Sequence, residues 1–171
     1  MLYHPPRMSI LAIVRHGQAS FGAADYDALS PLGEEQARLL GEHWAGRKLT
    51  LDGLYVGPAK RHRQTVAGMR AGAEAAGHPL PEAEPLPGID EIDVSRLFDE
   101  AFARVLPSCP DFFDQWNAKQ LDERGRAAYR HTIGVVSKLM LRWATGEEGF
   151  DDIEPYADFT RRVTDAIQGV M

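Results

Sequence analysis

Cysteine is nearly missing from this sequence: Cys109 is the only one in 171 residues. No internal disulfide can form and no cluster of thiolates can hold a metal, which suits a reducing compartment, with the cytoplasm as the expected location. Long apolar runs are missing too. No stretch approaches the roughly 20 apolar residues of a membrane span, and the opening MLYHPPRMS lacks an apolar core of signal-peptide length, so neither a membrane partner nor a cleaved leader is expected. Positive charge is not in excess. A net charge of -6 and a pI near 5.5 argue against nucleic acid or anionic lipid as partners, although a local basic pocket is compatible with both. The six histidines show no metal-ligand spacing such as H-E-x-x-H, so no metal and no cofactor is expected. Repeats, low-complexity tracts and linkers are absent as well, which leaves one domain over residues 1–171.

The remaining pattern alternates strand and helix. Residues 1–9 read as a loose leader. Ile10–Val14 (ILAIV) is an uninterrupted apolar run that predicts a strand buried on both faces, ending in Arg15-His16-Gly17, where open α/β sheets bind their ligands. After a loop to Asp27, Ser30-Pro31 has the form of an N-cap followed by proline at the first helical position, opening a helix that runs to Gly46. Leu51–Val56 predicts a second strand, broken by Gly57-Pro58 before a helix from about Lys60 to Ala76. The order β-α-β-α implies parallel strands with crossover helices. The proline-rich connection Pro79–Gly88 has room for a short edge strand around Ala83–Leu86. Residues 96–107, 110–120 and 124–145 then read helical, an insertion over about 95–150, and Glu154-Pro155 opens a last helix.

Three clusters carry chemistry. In Arg15-His16-Gly17 the glycine lets backbone N–H groups approach an anion closely. In GPAKRHRQT (Gly57–Thr65) a strand end meets a helix start, whose free N–H groups and dipole favour anions, and Arg61 adds a bidentate phosphate donor. Lys60, Arg61 and Arg63 cannot all face one pocket. In IDEID (Ile89–Asp93), Glu91 lies between Ile89 and Ile92 and is the carboxyl best placed for partial desolvation and general-acid work. The other histidines, His4, His43, His62, His78 and His131, read as surface or capping residues.

LAIVRHGQ, LSPLGEEQA (Leu29–Ala37), GPAKRHRQT and IDEID resemble, in that order, the histidine phosphatase superfamily, also called phosphoglycerate mutase-like. The resemblance implies a three-layer α/β fold with a mainly parallel sheet and flanking helices. It implies His16 as the nucleophile phosphorylated on a ring nitrogen, Arg15 and Arg61 as holders of the phosphoryl oxygens, Glu91 as proton donor, and Gly17, Gln18 and Ser20 as substrate-binding residues. The implied activity is hydrolysis of a phosphomonoester, a small phosphorylated metabolite or a phosphoprotein, through phosphohistidine. The alternatives are a phosphoglycerate mutase-type phosphotransferase and a catalytically weak phosphate-binding domain. Gly57 stands where the family usually has serine, Gly22 where many members have a phosphate-contacting asparagine, and VSRLFDE does not resemble the segment that usually follows the acid. FTRRV (Phe159–Val163) is similar to the family helix that precedes the last core strand. That strand carries the family's second catalytic histidine, and the sequence stops before it, so the C-terminal part of the core is expected to be missing and the natural chain to continue past Met171. An unpaired ILAIV edge is expected to make a chain of 171 residues dimerise or aggregate.

Overall fold

The computed structural model describes residues 10–20, 25, 27–118, 120–147 and 150–171. The expected leader over residues 1–9, with His4, and Gly22 in the loop after Gly17 lie outside the described residues. The elements in order are α1 (Pro31–Gly46), β1 (Leu54–Val56), α2 (Lys60–Ala75), β2 (Ala83–Pro85), α3 (Ser95–Val105), α4 (Phe112–Asn117), α5 (Glu123–Ala144) and α6 (Tyr156–Val170). The described residues form two compact units: those within 10–19, 27–90 and 163–171 make the first, and residues 20 and 25 with those within 91–162 the second, α6 being divided between them.

In the first unit α1 begins where the sequence predicts. The Ser30 side chain accepts a hydrogen bond from Gly33 N–H, Pro31 occupies the first turn, and Glu34 faces the positive end of the helix dipole. Its buried face is a stripe of small residues at a spacing of four, Gly33, Ala37, Gly41 and Ala45. The facing side of α2 offers Thr65, Gly72 and Ala73, and at Met69 its backbone. With so little side chain between them, the two backbones come into contact. A Cβ added at Gly41 would lie 1.9 Å from the Met69 carbonyl oxygen, and one at Gly72 would lie 2.1 Å from that of Arg38. Met69, Ala45, Ala73 and Leu80 form the core, with Leu40, Trp44, Leu51 and Leu54 packed on it.

β1 and β2 pair in parallel, Leu54 opposite Ala83 and Val56 opposite Pro85, which realises the β-α-β crossover through α2 and the short edge strand. The sheet among the described residues has these two strands only. The predicted strand at Ile10–Val14 is a correction. Residues 10–18 have no regular secondary structure, and Ile10 and Ile13 are 89% and 81% exposed. A central strand is stabilised by ladder hydrogen bonds from neighbours on both sides, and the described residues supply none to this run. An apolar composition makes burial favourable, but it does not supply a partner.

The second unit is helical, as the sequence predicts for 95–150. One core joins Ile92, Leu97, Leu139, Trp143 and Ile153, with Phe159 packed against it. Another joins Val105, Cys109, Phe112 and Ala128. Asp122 caps α5 by accepting from Gly125 N–H at 2.7 Å. Trp143 Nε1 donates to the Glu154 carbonyl at 2.8 Å, and Glu154 takes both arms of Arg162, at 2.9 and 2.6 Å. No helix among the described residues is long and apolar enough to cross a membrane.

Candidate active site

Gly17 is buried where the segment after Arg15-His16 meets the start of α1, and the approach is close on both sides. A Cβ at Gly17 would lie 2.4 Å from the Gly33 carbonyl oxygen, and one at Gly33 2.2 Å from that of Gln18. Only two glycines fit back to back. Side chains from the two later motifs then fix the segment. Gly17 N–H donates to Thr65 Oγ1 at 3.0 Å, Gln18 N–H donates to Gln36 Oε1 at 2.9 Å, and Ser30 N–H donates to the Gln18 carbonyl at 2.8 Å. Leu29 N–H donates to Gln64 Oε1 at 2.8 Å, and an isolated antiparallel bridge joins Ala19 to Leu29. The Thr65 hydroxyl also donates to the Arg61 carbonyl at 2.7 Å. One hydroxyl therefore ties the backbone next to His16 to the first turn of α2.

This bracing gives His16 a defined chemistry. Its Nδ1 is 2.6 Å from the Gly17 carbonyl oxygen. A carbonyl oxygen can only accept, so Nδ1 carries the hydrogen, and in the neutral ring Nε2 keeps its lone pair. His16 is half-buried. At the start of α2, Arg61 is 11% exposed, whereas Arg63 is exposed and turns back to donate to the Pro58 carbonyl. This sorts the three cations that sequence alone could not. Arg61 donates to Asp27 Oδ1 at 2.5 Å, and Lys60 N–H donates to Asp27 Oδ2 at 2.7 Å. Ala59 offers α2 no side-chain cap, so the Asp27 carboxylate does that work.

A family model described as the histidine phosphatase superfamily (branch 1) matches residues 11–139. The chain belongs to the histidine phosphatase superfamily. Neither the curated proteins nor the solved structures contain a match to it. Membership supports phosphatase or phosphotransferase chemistry in general, and the four motifs of Sequence analysis all fall within the matched span.

Within this histidine phosphatase chain the first unit brings together His16, Gly17, Gln18 and Arg61. Arg15, in the same unit, is exposed, as is Gln18, and Ser20 is half-buried in the second unit. Glu91 opens the second unit and is exposed, so the expected partial desolvation is not found there, although Ile92 beside it is buried. Two open cavities of the second unit, about 290 and 380 Å³, are lined by Ser108 and by α3 and α5 residues including Arg104 and His131, and by none of the expected site residues. Sequence reasoning passed over Asp27, Gln36, Gln64 and Thr65. All but Asp27 stand inside the quoted motifs, and their type, a polar side chain beside the apolar face of a helix, was the available signal.

Partial burial raises the Asp27 carboxyl, but the N–H groups of Lys60 and Arg61 and the Arg61 guanidinium outweigh it and hold it below the usual carboxylate range. The folded state therefore gains stability from ionised Asp27 at pH values above the unfolded value of about 3.9, and loses that gain as pH falls through the lower folded value. Melting temperature followed from pH 7 to pH 3 is expected to drop in the wild type below about pH 4. Asp27→Asn is expected to start lower and show a shallower acid limb. Parallel curves would rule out the carboxylate as a cap.

Proposed function

We propose that this histidine phosphatase superfamily chain is a phosphomonoester hydrolase that works through phosphohistidine on Nε2 of His16, acting on a small phosphorylated metabolite or a phosphoprotein. The hydrogen bond from His16 Nδ1 to the Gly17 carbonyl carries the reading, because it leaves Nε2 as the one ring nitrogen with a lone pair. Arg15 and Arg61 would hold the equatorial oxygens and stabilise their charge as the phosphoryl group moves in line. The bond from phosphorus to the substrate oxygen breaks while the bond to Nε2 forms, and the departing alkoxide takes a proton from Glu91. Water, giving its proton back to Glu91, then attacks phosphorus; the P–N bond breaks, neutral His16 returns and inorganic phosphate leaves. No cofactor or metal enters this scheme.

The reading includes one domain over the chain, a three-layer α/β sheet fold of which β1 and β2 are the described strands, a helical insertion over about 95–150, and a cytoplasmic setting. A panel of phosphomonoesters, scored for inorganic phosphate and for isomerised phosphoester, separates its branches. Release of inorganic phosphate is the expected result. Isomerised product without release would make the chain a mutase-type phosphotransferase. No turnover, with a melting temperature raised by phosphate, would make it a phosphate-binding domain.

Homodimerisation is part of the same proposal. Ile10, Leu11, Ile13 and Val14 are adjacent and all exposed, and contiguous exposed apolar residues mark interaction surfaces. Sedimentation at micromolar concentration is expected to show a species heavier than the 19.0 kDa chain, reduced to monomer by Ile13→Lys. A wild type that stays monomeric sinks the idea.

A further inference from the structure

His62 stands in the first turn of α2, one residue beyond Arg61. Its ring centroid is 5.9 Å from that of His16, with 34° between the ring planes, the separation and tilt of a packed ring pair. The ring is half-buried, and its Nδ1 is wholly buried. What makes room for it is Gly57. That residue is buried at the end of β1, and a Cβ there would lie 2.5 Å from His62 Nδ1 and 3.2 Å from Cε1. Any other residue at position 57 drives the imidazole away from where it lies. The two glycines of the site thus do different things: Gly17 lets the backbone near His16 meet α1, and Gly57 lets a second ring reach His16.

We propose that His62 is a positioning residue which packs its ring against His16 and, together with the Nδ1 hydrogen bond to Gly17, holds the nucleophile's ring in one orientation. The two restraints are complementary. The hydrogen bond selects the tautomer while that edge of the ring faces Gly17, but alone it leaves open a χ2 rotation that turns the edge away. Contact with a second ring removes it. Nucleophilic displacement depends on the alignment of the attacking lone pair, and small misplacements carry rate costs that reach about a hundredfold. The proposal rests on the reading of His16 as nucleophile, and it names Gly57 and His62 as one device, so the effects of changing them are coupled.

The test uses the full chain and four variants: His62→Ala, Gly57→Ala, their combination, and His62→Phe, which keeps a ring against His16. Long-range proton–nitrogen spectra of labelled histidine should show His16 as a single Nδ1–H tautomer in the wild type and in His62→Phe, and as a mixture in the other three. With a chromogenic aryl phosphate, the rate of phosphohistidine formation is expected to fall about tenfold in His62→Ala and in Gly57→Ala, and to fall no further in the double variant, because Gly57→Ala has no ring left to displace. His62→Phe is expected to stay within about threefold of the wild type. An unchanged His16 spectrum in His62→Ala overturns the proposal, whatever the rate does, since a slower enzyme with an unmoved ring would have lost a group that acts on the substrate itself. Additive losses in the double variant overturn it too. Absence of phosphohistidine in the wild type would remove the hydrolase reading instead, and the spectra would still decide whether His62 holds the ring.

Discussion

His16→Ala is expected to abolish acid-labile phosphate on the protein and to lower turnover by roughly 10⁵–10⁶, the scale of losing a covalent nucleophile from an assembled site. The measurement is an acid-quench and base-quench comparison after mixing with radiolabelled phosphomonoester: phosphohistidine survives base and is lost in acid. The expected loss is this large because Nε2 of His16 is the nucleophile of the proposed scheme, and the hydroxyl bound beside it is already engaged. Thr65 Oγ1 is engaged at both ends, accepting from Gly17 and donating to the Arg61 carbonyl. The one cysteine, Cys109, is buried in the second unit. His62→Ala is the control, expected to keep the label while forming it more slowly. Label that persists in His16→Ala would move the nucleophile elsewhere and end the hydrolase reading given above.

Gly41→Ala should destabilise the chain by about 3 kcal/mol, at the upper end of overpacking costs. The direction matters more than the size. In a helix interior, alanine is ordinarily favoured over glycine by about 1 kcal/mol, so helix propensity predicts the opposite sign. Here the new methyl would lie 1.9 Å from the Met69 carbonyl oxygen and 2.9 Å from its Cα. These are backbone atoms of α2, so no rotamer change relieves the clash and the helices must separate. Separation would also loosen Gly72 against Arg38, and it would pull Thr65 from Gly17. A melting temperature lower by roughly 10 °C is expected for a chain of this size. Gly134→Ala in α5 is the contrast, because a Cβ there meets nothing within 4 Å, and a small rise in stability is expected. Equal behaviour of the two variants would show that α1 and α2 do not touch through backbone.

Local chemistry made much of this legible. Ser30-Pro31 marks the start of α1 because a hydroxyl acceptor followed by a residue without N–H is what a first turn accommodates, and α1 does run Pro31–Gly46. The stop before α2, the short β2 and the helical run after residue 95 were readable for similar reasons. Ile10–Val14 was not. An unalternating apolar run says that burial would be favourable, whereas a strand depends on which backbone lies beside it, and that information is not in the run. The site divides the same way. His16, Gly17 and Arg61, which the first unit holds together and the proposed scheme uses, stand in short motifs whose residue types suggest that chemistry. Asp27, Gln36, Gln64 and Thr65 act through hydrogen bonds to residues 18 to 48 positions away, and no local spacing encodes such a bond. His62 read as a surface or capping residue because its neighbour in space, His16, is far off in sequence.

The Asp27 carboxylate on Lys60 N–H and Arg61 has a consequence for affinity. An oxyanion arriving at these donors meets a tethered rival already seated there. The rival's effective concentration is on the order of millimolar for a short connection, so a free anion at lower concentration displaces it only through contacts that Asp27 lacks. A dianionic phosphoryl group that also reaches His16 has such contacts. In the proposed hydrolysis, inorganic phosphate detached from Nε2 would keep fewer of them, and the returning carboxylate would favour its departure.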